Sequence, residues 1–399
     1  MREMEYKRKV DKKRMIYLTL LTFFPPGAIT HNAAVGLLLN AIQVYLLVYY
    51  ALYFFKNGLD NGINLFSVPL LLYPVVIFIS TLIHHTDLYS GTVDLVNFWG
   101  LLFFLEYFFK KDIGRLISCL AKFFSVLAII NYMYLIINHF LLGKSADDSL
   151  FITVSNSISI VLIFSIVICV VNSWQNGKTI DARTIIVILC TAHTEILVWS
   201  GTGLVGYAIA LVILIICIIK RNHIWANPYV LTVSALILFF AITIFREQGF
   251  LSYIVEDVLQ KDLTFTGRTT IWDFYLLRIL ESPMLGYGSG YRPYLNLFPH
   301  SGYLNIMIMG GAVNAVFLSV AVVACFKRMR KEPNRKINVL IIWTIFAYEI
   351  MMLTEMPDIL YLVILMYLGY YGSKLDMYNK VLSDIGTTSN IDKSIEKMI

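Results

Sequence analysis

The sequence predicts an all-α integral membrane protein of about 12 transmembrane helices, with one large extracytoplasmic loop containing a short amphipathic helix. Three observations predict it. Of 399 residues, 58% are hydrophobic and only 15% charged, with a mean hydropathy of +0.71, whereas a soluble domain carries about 25% charged residues. Apolar runs near the ~20 residues that cross a bilayer recur along the whole chain. Lys and Arg then fall overwhelmingly on one side of those runs.

The runs lie at 15–31, 33–55, 64–83, 95–109, 118–141, 151–172, 184–199, 203–219, 228–245, 301–326, 337–353 and 359–373. Pro25 and Pro26 fall inside the first and are expected to kink or end it. The basic start MREMEYKRKVDKKR precedes an apolar stretch with no small-residue cleavage site, so that stretch is read as a retained helix. No internal repeat is visible. The five cysteines lie within or beside apolar runs without CxxC spacing and read as small buried side chains, neither a disulfide set nor a metal site.

With the N-terminus placed in the cytoplasm, 25 of the 32 Lys and Arg fall in cytoplasmic segments and 6 in outer loops. The outer ones are Lys144, Arg246, Lys261, Arg268, Arg278 and Arg292; Lys122 is left in or near the fifth helix. This charge bias sets orientation and accounts for the net charge of +6 through contact with anionic inner-leaflet lipid, so nucleic acid is not an expected partner. The expected organisation is 1–245 with helices 1–9, 246–300 as the outer loop, 301–373 with helices 10–12, and 374–399 as a cytoplasmic tail, in the cell (plasma or inner) membrane.

The loop at 246–300 concentrates the candidate chemistry, and a structured loop of that length is usually functional. Within it, GRTTIWDFYLLRILESP carries Thr270 and Asp273 at capping-box spacing and ends at Pro283. Ile271, Trp272, Tyr275, Leu276, Ile279 and Leu280 share one half of the helical wheel, which predicts an amphipathic helix on the outer membrane face. Arg268 sits where helix N–H groups and the dipole favour an anion. GYGSGYRPY (286–294) is a glycine-rich turn able to approach a ligand closely, with Arg292 inside it and Tyr287, Tyr291 and Tyr294 interleaved as surfaces for sugar rings. His300, at the mouth of the tenth helix, suits a proton acceptor.

These residues resemble the O-antigen polymerase and ligase superfamily of bacterial envelope polysaccharide synthesis. The resemblance rests on TGRTTIW (266–272), PMLGYG (283–288) and HSGYL (300–304), followed by Gly310 and Gly311. Ser301 stands where the family often has Asn. WSGTGLVG (199–206) stands where ligases carry an arginine, which favours a polymerase and leaves Arg246 or Arg292 to supply that charge.

The resemblance implies polymerisation of polyprenyl-pyrophosphate-linked oligosaccharide repeat units into a capsule, exopolysaccharide or O-antigen, by inverting transfer without metal or cofactor. His300 and Arg268 are the expected catalytic residues; Arg292, Arg246, Tyr287, Tyr291, Trp272 and Glu195 are the expected substrate contacts. Flippase and chain-length regulator proteins are the expected partners, beside membrane lipid. A ligase of the same fold is the first alternative, and a lipid-linked oligosaccharide flippase or other transporter the second.

Bland readings stand beside each. Arg268 can cap a helix or bind headgroups, Arg278 reads better as a headgroup contact, and the glycine-rich turn can be only a turn. Ionisable residues inside the runs are expected to pair or to face a cavity. Glu195, His193 and Glu349 are of this kind, and Glu106 precedes Lys110 at the favourable i,i+4 spacing.

Overall fold

The computed structural model describes residues 2–57, 65–153, 155–219, 227–247, 249, 252–258, 267–332, 335–373 and 375. Among them the chain is mostly helical, with no strand. The helices are α1 (Arg2–Phe23), α2 (Gly27–Thr30), α3 (Ala33–Asn57), α4 (Ser67–Ile83), α5 (Leu88–Lys111), α6 (Ile113–Ile136) and α7 (Ser155–Gln175). There follow α8 (Ala182–Val198), α9 (Gly201–Ile219), α10 (Pro228–Phe239), α11 (Arg268–Glu281), α12 (Gly302–Met329), α13 (Lys336–Met351) and α14 (Ile359–Tyr371). Each predicted apolar run falls on helix, the first being split between α1 and α2. Among the described residues, six helical stretches are long and apolar enough to cross a membrane, and three further apolar helices are shorter. The predicted tail lies, but for Leu375, outside the described residues.

Local chemistry fixes most boundaries. Pro25 and Pro26 end α1, since proline cannot continue the hydrogen-bond ladder. Asp87 caps α5 through Ser90 N at 3.1 Å, Asp181 caps α8 through Thr184 N at 2.9 Å, and Asp358 caps α14 through Leu360 N at 2.9 Å. The cap at Asp87 corrects the fourth run: its helix starts at Leu88, seven residues before the apolar stretch, because a capped polar turn precedes the apolar one. Trp199, left-handed at φ 50°, ends α8.

α7 and α14 are buried on nearly every side, with α14 packed by α5, α7, α12 and α13. α3 and α9 are more exposed, as apolar helices facing lipid should be. Hydrogen bonds from Thr86 Oγ1 to Tyr287 O, between the Thr202 and Thr354 hydroxyls, from Arg268 to Glu355 and from Gly302 N to Met352 O bring the starts of α5 and α9, the 267–302 segment and the 352–358 turn together, here the loop end. Lys13 and Arg115 approach Cys119, and Arg183 approaches Tyr17 and Cys169, at the far end.

α12 is broken at Gly311, where φ is 61° and ψ −161°. The break lies about 14 Å along the axis from Gly302, at 1.5 Å per residue. Its freed groups are satisfied by the chain that follows α11. Tyr287 N and Gly288 N donate to Ile308 O and Met309 O at 2.6 and 3.0 Å, while Ala312 N and Val313 N donate to Pro283 O and Met284 O at 2.8 and 3.2 Å. Irregular backbone inside an apolar bundle is tolerated only where protein pairs it in this way.

Candidate active site at the loop end

The site is organised by the turn between α13 and α14, LTEMPD (353–358). Arg268 opens α11 after Gly267, which is left-handed at φ 79°. Its Nη1 donates to Thr354 O and to Glu355 Oε1 at 2.8 Å. From the other side, Ser301 Oγ donates to Met352 O at 3.1 Å, and Gly302 N donates to Met352 O at 2.9 Å and Glu355 O at 2.8 Å. One turn therefore holds Arg268 and the two residues that follow His300. The Thr202 hydroxyl, at the start of α9, meets that of Thr354 and ties a fourth segment to it.

The electrostatics follow from burial. Glu355 is 4% exposed, and desolvation holds its carboxyl up to about 7 although Arg268 pulls it down. His300 is half-buried, and desolvation followed by the nearby Arg268 charge lowers its imidazole below the ordinary 6.5. The imidazole is thus kept neutral, the form that accepts a proton. His300 also has φ 46°, a left-handed conformation for a residue with a Cβ, and such strained positions cluster where function demands them.

α11 forms over the predicted stretch, with three corrections. It begins at Arg268 without a side-chain cap, so Thr270 and Asp273 do not form the capping box; Asp273 instead pairs with Arg246. Leu280 is 74% exposed rather than on the packed face. Ile271, Trp272 and Tyr275 are buried as expected, against Phe239, Leu304 and Ile308.

The remaining substrate candidates separate. Trp272 is 0% exposed, so its ring belongs to the packing beneath α11 and offers no open face to a substrate. Arg246 lies over that ring at 5.3 Å and donates to Thr269 O at 2.9 Å, clamping the start of α11 to the end of α10. Tyr287 and Tyr291 stack on each other with centroids 4.1 Å apart, which uses one face of each. Arg292 is exposed, with its guanidinium 3.7 Å from the Phe298 ring centroid. Glu195, 1% exposed, lies beside Ser159 on α7. Arg278 pairs with Glu281 at 2.6 Å.

The glycines of the turn are used against protein. A Cβ on Gly286 would meet Ile308 O at 2.4 Å, one on Gly288 the Thr81 backbone at 2.4 Å, and one on Gly311 the Met284 backbone at 2.3 Å. This corrects the expectation of a close approach to a ligand: the approached backbone is that of α4 and of the break in α12.

Sequence reasoning passed over Glu355 and Asp94. Ser289 Oγ donates to Asp94 Oδ2 at 2.6 Å, binding the turn to α5. The signal for Glu355 was present as an acidic, proline-containing turn between two apolar runs on the same side as the long loop. Of the ionisable residues inside the runs, Glu106 pairs with Lys110 at 2.7 Å and accepts from Tyr367 at 3.0 Å. His193 Nδ1 meets the Tyr132 hydroxyl at 2.9 Å, and Glu349 accepts from Thr232 on α10 at 2.8 Å. Among the described residues, no three His, Cys, Asp or Glu side chains gather as a metal site requires.

The chain matches no family model, no curated protein and no solved structure.

Proposed function

We propose that this protein is a glycosyltransferase of the cell membrane that polymerises polyprenyl-pyrophosphate-linked oligosaccharide repeat units on the outer face, with twelve crossings, both termini cytoplasmic and the 246–300 loop outside. One observation carries the reading. The two residues set apart by the TGR and His motifs, Arg268 and His300, sit 32 positions apart in sequence, yet the same 352–355 turn holds Arg268 and the Ser301–Gly302 pair after His300.

In the reaction, the oxygen of an acceptor hydroxyl attacks the anomeric carbon of the donor. The anomeric carbon–phosphate oxygen bond breaks, and its electron pair leaves with the polyprenyl pyrophosphate. His300, neutral at working pH, takes the hydroxyl proton. Arg268 faces the negative charge that grows on the leaving group, where a donor fixed beforehand is worth most. Thr354 O and Glu355 Oε1 hold the guanidinium, which fixes its position before that charge develops.

The test is the size distribution of lipid-linked glycans in cells lacking the protein, complemented with wild type, Arg268→Ala or His300→Ala. A ladder restored by wild type, with single repeat units alone in both variants, supports polymerisation. A ladder that persists on lipid in the deletion makes the protein a ligase. Single units accumulating on the inner leaflet make it a flippase.

A further inference from the structure

A cavity of about 340 Å³ lies between α4, α5, α12 and the α13–α14 turn. A second, of about 190 Å³, lies between the ends of α1 and α7 and the same turn. Asp358 and Met356 line both. The volume of the first falls in the roughly 300–1,000 Å³ range of small-molecule sites.

Its walls are unlike the rest of the bundle. Asp358 is exposed and lines both spaces, with one carboxylate oxygen accepting from Leu360 N at 2.9 Å. Asp94 Oδ2 is used by Ser289, and the carboxylate lines the same cavity. Asn97 Oδ1 is buried and finds no hydrogen-bond partner among the described residues. Asn305 Nδ2 donates to the Met309 sulfur, a weak acceptor, at 3.3 Å. Beside these polar groups, Tyr73 and Phe98 stack on each other at 5.1 Å and give the cavity an apolar edge.

No Lys, Arg or His lines the cavity, so a phosphate would be repelled there. Acceptors dominate, and two of them are carboxylates. A buried acceptor without a donor is costly, so such a surface calls for a ligand rich in donors. The space is far larger than a bare cation fills, and an apolar wall is no help to one. A neutral sugar ring satisfies both sides: its hydroxyls donate to carboxylates and amide oxygen, and its C–H face lies on the rings.

We propose that this cavity binds a sugar residue of the lipid-linked substrate, with its hydroxyls donating to Asp94, Asp358 and Asn97. The proposal rests on the glycan-transfer reading above. It also divides the substrate by charge. The turn that holds Arg268 through residues 354 and 355 lines the cavity through residues 356–360, so pyrophosphate and sugar fall to adjacent stretches of one turn.

The experiment uses the full-length protein in lipid nanodiscs and, as probe, the lipid-linked repeat unit extracted from cells lacking it. Elongation is followed against probe concentration. Asn keeps an oxygen acceptor and caps a helix nearly as well as Asp, so Asp94→Asn and Asp358→Asn should fold, confirmed by unchanged melting. Loss of one charge-assisted bond in each is expected to raise half-saturation about tenfold while the maximal rate holds. Asn305→Trp, which fills the cavity, should abolish elongation without lowering the melting temperature. Wild-type half-saturation in all three variants overturns the sugar site and leaves the polymerase reading standing. Loss of maximal rate in Asp358→Asn, with activity tracking sodium or potassium, overturns it in favour of a cation. No elongation by wild type overturns the functional reading, and the site with it.

Discussion

The Arg268 guanidinium stands 2.8 Å from the Glu355 carboxylate, across 87 residues of sequence, and both side chains are largely closed to solvent. Each therefore sets the state of the other. Arg268→Ala leaves the buried Glu355 carboxyl without its donor, which is expected to cost about 1–3 kcal/mol of stability, and to lower elongation at least ~100-fold. Arg268→Ala combined with Glu355→Gln should recover most of the stability and none of the activity. Denaturant unfolding and glycan ladders on the same preparations separate the two effects; elongation by the double variant would remove Arg268 from the chemistry.

Stability should depend on pH through Glu355. Its carboxyl is raised from 4.5 to about 7 in the folded protein, so between those values the folded state binds more protons than the unfolded one. The contribution is fully present below 4.5 and is lost as pH rises through about 7. Thermal unfolding across this window should show wild type losing stability toward pH 7, and Glu355→Gln should flatten the curve.

Activity should report His300. Because burial and Arg268 lower its imidazole below 6.5, the acid limb of elongation should fall below pH 6.5. Arg268→Lys retains the charge, and the limb with it; any residual activity in Arg268→Ala should show the limb moved upward. A limb unmoved in Arg268→Ala would separate the two residues electrostatically.

The glycines give a graded test of the inserted turn. Gly143 is left-handed at φ 66° with nothing within 4 Å, so Gly143→Ala should carry only the conformational penalty, about 1 kcal/mol. Gly288→Ala adds a collision with the Thr81 backbone and should cost about 2 kcal/mol or more beyond that. Equal melting temperatures for the two variants would refute the inserted geometry.

Trp272 and Arg292 should divide between stability and function. Trp272→Ala empties a fully buried site and is expected to cost about 3–5 kcal/mol. Arg292→Ala removes an exposed stack on Phe298, worth about 0.5–1 kcal/mol. It should slow elongation less than Arg268→Ala does, by ladder length.

Much of this was legible in one dimension. The apolar runs became helices, six of them among the described residues long and apolar enough to cross a membrane, because hydrophobic length and proline position are local properties, as Pro25–Pro26 and Pro283 show. The helix at 268–281 and the pairing of Glu106 with Lys110 were readable for the same reason: both rest on neighbours within one or two turns. Where a prediction leaned on a polar pattern, it failed when a distant partner competed. Asp273 meets Arg246 rather than Thr270, and Trp272 is claimed by α10 and α12.

The sequence by itself determined the class of the protein, its helices and their charge bias, and which loop carries Arg268 and His300. Those follow from hydropathy, spacing and charge, which need no third dimension. Only the tertiary structure decided that Glu355 faces Arg268, that the turn at 283–288 pairs with a broken helix, and that Asp94 and Asp358 share a cavity. Each of these joins segments far apart in the chain, where backbone pairing and burial select the partner and local spacing leaves no mark.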